Sequence, residues 1–357
     1  MNHGPAAHVD LAPDYRISRV IKGGWQLAGG HGVIEREQAI TDMTAFAEAG
    51  ITTFDCADIY TGVEERIGDF LRQWRPTHPH AADQIRVHTK FVPDLDALAS
   101  LRAHDIRRII DRSRERLGVS ALDLVQFHWW DLRVPGVVEA ARSLTVLRAE
   151  GKIRQLGVTN FDTPHLAELL DAGIPIVAHQ VQYSLLDRRA AGSMAALCAD
   201  RGVGILAFGS VAGGFISERW LGASEPDEPL ENRSLTKYKL IIDEFGGWAL
   251  FQELLATLAA VAARHVVTVG TVAIRWVLDQ PAVAAVIVGA RHAGHLGDTC
   301  AALALQLTDA DRQSIGAVLA RAMGPTGDVY ALERDREGRH GRIMRYNLNA
   351  PTPTSPP

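Results

Sequence analysis

Four ionisable side chains stand at the ends of short apolar runs in this 357-residue chain. Asp55 follows Ile51–Phe54, with Tyr60 five residues on; Lys90 follows Ile85–Thr89, and His128 follows Leu122–Phe127. A tyrosine with an ordinary pKa of about 10 is a weak acid at neutral pH. A neighbouring lysine cation stabilises the phenolate and lowers that value, and an aspartate beside the lysine holds it and balances its charge. A histidine can orient a carbonyl oxygen or share the proton relay. Together the four would protonate a carbonyl oxygen as hydride reaches its carbon. Singly, Asp55 reads as a loop cap, Tyr60 as a surface aromatic, and Lys90 or His128 as a structural polar group. As a set at three consecutive strand exits they read as chemistry.

Such a set needs a scaffold that brings successive strand ends together. Further short apolar runs occur at Ile153–Val158, Ile176–Val181, Gly204–Phe208 and Val283–Val288, and Arg19–Ile21 makes a first strand. Between them lie stretches with three-to-four periodicity. In Ala103–Leu117, Ile106, Ile109, Ile110 and Leu117 share a face opposite arginines and acids. Strand–helix alternation of this kind predicts parallel strands joined by crossover helices. Eight units over about 250–300 residues predict an α/β fold, a (β/α)8 TIM barrel, with active groups at the C-terminal strand ends. Thr163-Pro164 opens a helix, and Gly50, Gly118, Gly151, Gly173 and Gly202 stand where helices end. Two stretches lie outside the alternation. A loop of about forty residues follows the seventh strand, and a C-terminal extension carries the charged run Glu333–Arg342 and a proline-rich end. The expected organisation is an N-terminal arm over 1–14, the barrel over 15–323, and a partly disordered extension over 324–357.

With 47% hydrophobic and 22% charged residues, the chain can bury a large core. A net charge of −5 argues against a nucleic-acid partner. No apolar run approaches the roughly 20 residues that span a bilayer, and Met1–Pro13 does not resemble a secretory signal. Cys56, Cys198 and Cys300 are odd in number and unpatterned, which suits a reducing cytoplasm. The expected partner is a small molecule. Oligomeric state leaves no mark on the sequence.

Phe54-Asp55-Cys56-Ala57-Asp58-Ile59-Tyr60, His88-Thr89-Lys90 and Gln126-Phe127-His128 resemble the Asp, Tyr, Lys, His tetrad of the aldo-keto reductase superfamily. The resemblance extends over roughly residues 15 to 322. It implies NAD(P)H-dependent reduction of an aldehyde or ketone, reversible as alcohol oxidation. Tyr60 would be the general acid, Lys90 and Asp55 would tune it, and His128 would position the substrate oxygen. For the cofactor it implies Gly24 and Trp25 after the first strand, Asp55, and Thr159 and Asn160 in place of a Ser-Asn pair on the nicotinamide carboxamide. Gln180 would complete that amide recognition. Phe208 would stack on the nicotinamide where a tyrosine is usual. Gly209, Ser210 and Gly213 fall in a loop that would pass the pyrophosphate, small residues admitting its oxygens to backbone N–H groups. At the adenosine end the implied contacts are Gly289, Arg291, His295 and Asp298. A Lys-Ser pair and an arginine common in NADPH-preferring members are missing there. Arg291 could reach a 2′-phosphate. NADP(H) is therefore favoured and NAD(H) remains open.

On the substrate side, Trp25, Tyr60, His128, Trp129 and Trp130 are the candidates. Adjacent residues on a short turn rarely point the same way, so at least one of the two neighbouring tryptophans should face the pocket. An aromatic lining would suit an apolar or sugar-like carbonyl compound over a highly charged one. No metal is expected: His292 and His295 lie three apart near Asp298 and Cys300, with no cluster to complete a site. Gly23-Gly24 and Gly29-Gly30-His31-Gly32 lack the spacing of a dinucleotide fingerprint. Three alternatives remain. One is a regulatory cofactor-binding subunit like the potassium-channel β subunits. Another is sugar or secondary-alcohol oxidation as the working direction. The third is an aldolase-type barrel using Lys90 as a Schiff base.

Overall fold

The computed structural model describes residues 7–28, 34–290 and 292–349. An antiparallel hairpin, β1 (His8–Ala12) and β2 (Tyr15–Ser18), precedes eight parallel strands. These are β3 (Val20–Gly23), β4 (Thr53–Asp55), β5 (Arg86–Phe91), β6 (Leu122–Phe127), β7 (Ile153–Thr159), β8 (Ile176–Gln182), β9 (Gly204–Phe208) and β10 (Val283–Gly289). They close in the order β10-β3-β4-β5-β6-β7-β8-β9, so the expected (β/α)8 barrel is formed. The helix Ala103–Leu117 has the bounds its periodicity predicts, with Gly118 left-handed after it.

Period-two alternation along each strand decides which side chains enter the barrel. Lower in the barrel, Ile21, Leu124, Ala178, Leu206 and Ala285 form an apolar cluster, and the hairpin's Leu11, Tyr15 and Ile17 pack onto it. One step nearer the C-terminal ends, Gln126, Gln180 and Phe208 of β6, β8 and β9 join Asp55 of β4 and Lys90 of β5 at one mouth. The hairpin thus plugs one end and leaves the other for polar side chains.

The stretch after β9 is more ordered than a forty-residue loop. Two 3-10 turns (Ala212–Gly214 and Glu218–Trp220) lead to a 13-residue helix, Arg233–Phe245, and a second helix follows at Gly247–His265. Asn232 caps the first of these by accepting from the Leu235 N–H at 3.0 Å. Its buried residues Tyr238, Leu240, Ile241, Ile242 and Phe245 supply the apolar face that makes it a helix. The segment 324–349 runs back across the mouth instead of away from it. Arg189 donates to Asp187 (2.7 Å) and to Glu333 (3.0 Å), with all three side chains no more than 2% exposed. Further along, Asn349 donates to Val92 O, and Asp94 accepts from the Leu348 and Asn349 N–H groups. Among the described residues no single helix is long and apolar enough to cross a membrane.

Burial pushes the Glu333 carboxyl up, but the Arg189 and Lys237 cations outweigh it and hold the group at about 2 against an ordinary 4.5. Glu333→Ala, which strips Arg189 of one buried partner, is expected to cost about 3 kcal/mol in urea unfolding at pH 7. A depressed carboxyl stabilises only while ionised. The advantage of wild type over Glu333→Gln should therefore be full above pH 5 and shrink as pH falls toward 2.

Candidate active site

The mouth opens into one cavity of about 980 Å³ that has both Tyr60 and Asp298 on its wall. At its floor lies Asp55. Its carboxylate accepts from Lys90 Nζ at 2.6 Å, Gln126 Nε2 at 2.8 Å and Gln180 Nε2 at 2.7 Å, from strands β5, β6 and β8. Lys90 Nζ also donates to the Cys56 carbonyl at 2.8 Å. Burial alone would lower the Lys90 pKa, but Asp55 and the surrounding groups reverse the sign and hold it above its ordinary value. Lys90 is therefore a permanent cation, and it lies 5.2 Å from the centre of the Tyr60 ring.

The Tyr60 phenol differs from the expectation of a lowered pKa. Lys90 pulls it down, but burial is the larger effect and Asp55 adds to it, so the net shift is upward. The lysine's role is to offset burial, and the resting phenol keeps its proton. His128 is 2% exposed, and its Nδ1 lies 3.1 Å from the Thr159 carbonyl oxygen. Burial pushes its pKa down to about 3, so the ring is neutral at neutral pH.

Two of the substrate candidates part company. Trp130 lines the cavity with its ring 4.3 Å from His128, edge to face. Trp129 turns away: it is fully buried, packs on Phe127, and donates from Nε1 to Val134 O. It is a core residue and touches no part of the cavity. Trp25 does line it, 5.0 Å from Tyr60.

The cofactor candidates also sort themselves. Gly24 is not on the cavity wall; Gly23 is. The Gly24 N–H donates to Asp55 O, and a Cβ on Gly24 would meet that oxygen at 2.8 Å, so its smallness serves strand packing. The Thr159 hydroxyl donates to Gln180 O at 3.1 Å, leaving only lone pairs for a ligand. Both Gln180 amide hydrogens are engaged, by Asp55 and Gln126 Oε1. A carboxylate only accepts, which fixes the amide's orientation and leaves Oε1 as the group free to take a carboxamide N–H. Asn160 Oδ1 and Ser210 Oγ are buried on the wall without a partner.

Phe208 lines the cavity with Lys237 Nζ 4.9 Å from its ring centre. Gly209 and Gly213 have φ of +77° and +65°, and a Cβ would meet the Tyr238 hydroxyl at 2.5 Å from Gly209 and the Tyr238 ring at 2.6 Å from Gly213. Their smallness is thus demanded by a helix packed behind them, in addition to any ligand in front. Gly289, His295 and Asp298 line the far end, with His295 and Asp298 3.9 Å apart. Arg291 lies outside the described residues.

Sequence reasoning missed Lys237, Tyr238, Tyr330 and Arg334. Tyr330 lines the cavity 5.7 Å from His128, and Arg334 donates to the Asn160 carbonyl. All four come from the two stretches outside the strand–helix alternation. For Lys237 and Tyr238 the sequence hint is the apolar spacing of 235–245, and Arg334 stands in the charged run Glu333–Arg342.

An orphaned buried acceptor at Asn160 Oδ1, an orphaned buried hydroxyl at Ser210, the free Gln180 Oε1 and a long continuous cavity fit a nicotinamide dinucleotide. Fold and mouth together define a (β/α)8 enzyme with its site at the C-terminal strand ends. The aldo/keto reductase family model matches residues 19–320, and the chain belongs to that family of NAD(P)-dependent oxidoreductases. A flagellar radial spoke protein 5 from Chlamydomonas reinhardtii is 28% identical over 303 residues, covering 68% of this chain and 56% of that one. The NADH-specific methylglyoxal reductase of Escherichia coli strain K12 is 26% identical over 322 residues, covering 84% and 93%. Among solved structures, the glycerol dehydrogenase of Gluconobacter oxydans superposes with a TM-score of 0.73 at 25% identity, covering 88% and 95%.

A neutral His128 and a protonated Tyr60 set the pH behaviour. For carbonyl reduction, kcat/KM is expected to be flat from pH 5 to 9. An inflection near 6.5 that disappears in His128→Gln would contradict the neutral imidazole.

Proposed function

We propose that this protein reduces an aldehyde or ketone to an alcohol, reversibly, with Tyr60 as the general acid. When bound, the nicotinamide cofactor supplies or takes up the hydride. Asn160 and Gln180 would hold its carboxamide, Phe208 would offer a ring face, and Ser210 would meet its phosphates. Tyr60 donates its proton to the carbonyl oxygen as that oxygen gains charge, and Lys90 stabilises the phenolate left behind. Asp55 keeps Lys90 aimed and, through Gln126 and Gln180, ties that aim to three strands. Trp25, Trp130 and Tyr330 exclude water around the reacting carbon.

The observation that carries this reading is the buried Lys90–Asp55 pair behind a protonated phenol. A cofactor-binding scaffold has no need of that pair, and a Schiff-base lysine would need a free amine in place of a permanent cation. Tyr60→Phe is expected to lower kcat for a generic aldehyde by about 10³-fold, within the range of general acid catalysis, while cofactor binding is retained. Activity unchanged in that variant would refute Tyr60 as the acid.

NADP(H) is the favoured cofactor, on the strength of Arg291. The competing reading, NAD(H), draws on the similar Escherichia coli protein, which is named NADH-specific. Quenching of protein fluorescence by NADPH and NADH measures the choice. NADPH is expected to bind the more tightly, and a 100-fold preference for NADH would overturn the assignment to Arg291.

A further inference from the structure

At the Phe208 end of the cavity, one cation stands apart from the ion pairs around it. Lys237 shares the wall with Phe208, its Nζ 4.9 Å from that ring's centre and 5.7 Å from the centre of the Tyr238 ring. Asp55 is in contact with Lys90, and Asp187 and Glu333 both close on Arg189. Among the described residues no carboxylate is within ion-pairing distance of Lys237. Asp187 and Glu333 act on it from beyond contact, and neither lines the cavity. Burial lowers the Lys237 pKa from an ordinary 10.5, those two carboxylates oppose the fall, and the ammonium persists at neutral pH. What faces its Nζ is aromatic surface. A half-buried cation held in this way acts on whatever stacks against Phe208.

The two redox forms of a nicotinamide cofactor differ by one charge on the ring. The reduced ring is neutral and the oxidised ring is a cation, while the phosphates and adenosine are the same in both. A ring stacked on Phe208 has its centre about 4.5–7 Å from the Phe208 centre. On the face that Lys237 covers, it must displace the ammonium. On the other face its centre lies at most about 12 Å from Nζ, by adding the two distances. Unit charges about 12 Å apart at an effective dielectric of about 20 shift an equilibrium about tenfold. Resting on the carbonyl-reductase reading, with its nicotinamide on Phe208, we propose that Lys237 selects the redox state of the cofactor. It favours the neutral, reduced ring and weakens the hold on the cationic, oxidised one. Oxidised cofactor is the product of carbonyl reduction, so the selection helps to clear the site after each turnover.

Binding tests this without turnover. In full-length protein at pH 7, dissociation constants are measured by fluorescence quenching for NADPH, NADP+, NADH and NAD+. Calorimetry supplies them for ADP-ribose and 2′-phospho-ADP-ribose, which keep the phosphates and lack the nicotinamide. Wild type is expected to bind the reduced form of its preferred pair about tenfold more tightly than the oxidised form. That ratio should fall about tenfold in Lys237→Met and in Lys237→Gln, and persist in Lys237→Arg, which keeps the charge. Two neutral substitutions of different polarity separate loss of charge from a disturbed helix. The nicotinamide-free ligands should bind Lys237→Met as tightly as wild type. An equal loss with those ligands makes Lys237 a phosphate contact and overturns the proposal. So does a wild-type ratio at or below one, or a ratio unchanged in both neutral variants, and each of these leaves carbonyl reduction by Tyr60 standing. Binding of neither redox form removes both.

Discussion

The mouth of this barrel is organised around one buried carboxylate. Asp55 takes hydrogen bonds from Lys90, Gln126 and Gln180, and so links β4 to β5, β6 and β8 across the barrel interior. A buried anion with fewer partners would be costly, and a buried lysine without that anion would lose its proton. Each ion is tolerable because of the other, and the two amides complete the shell. Consequences run outward from there. Lys90 stays charged close to Tyr60, Gln180 is left with only an acceptor to show the cavity, and the polar layer stands above an apolar plug that keeps water from reaching it from below.

A second set of constraints comes from segments that the strand–helix repeat does not require. The helix Arg233–Phe245 fills the space behind Gly209 and Gly213 with Tyr238 and brings Lys237 over Phe208. The C-terminal run is pinned by Arg189 between Asp187 and Glu333, and it sends Tyr330 to the wall and Arg334 to the backbone of Asn160. These contacts couple the ordering of the tail to the geometry of residues that line the cavity. The mild acidity of the chain has no part in this; the charges that matter are a few local ones, buried and paired.

The strands and the tetrad were legible because both are written locally. Leu122–Phe127 and Gly204–Phe208 have the bounds their apolar runs predict, and Ala103–Leu117 shows its buried face in its spacing. Asp55, Lys90 and His128 follow such runs directly, so finding the strands found the residues. Trp129 and Trp130 carry the same side chain one position apart. Only the path of the turn sends one into the core and the other to the cavity, and no property of a tryptophan could say which. Gly24 and the hydroxyl of Thr159 were legible as small and polar, but their hydrogen bonds go to backbone oxygens of Asp55 and Gln180.

Sequence by itself determined the barrel, the identity of its polar mouth residues and the presence of two appended stretches, since these follow from periodicity and residue type. Tertiary structure alone decided the balance of the Tyr60 pKa, because burial and the Lys90 cation oppose each other and their sizes depend on position. It alone set Nδ1 of His128 against the carbonyl of Thr159, 31 residues away. And it alone turned a charged, unpatterned tail into a wall of the site, because the partners that hold it, Arg189, Asp94 and Val92, lie on distant parts of the chain and meet it only when the barrel has closed.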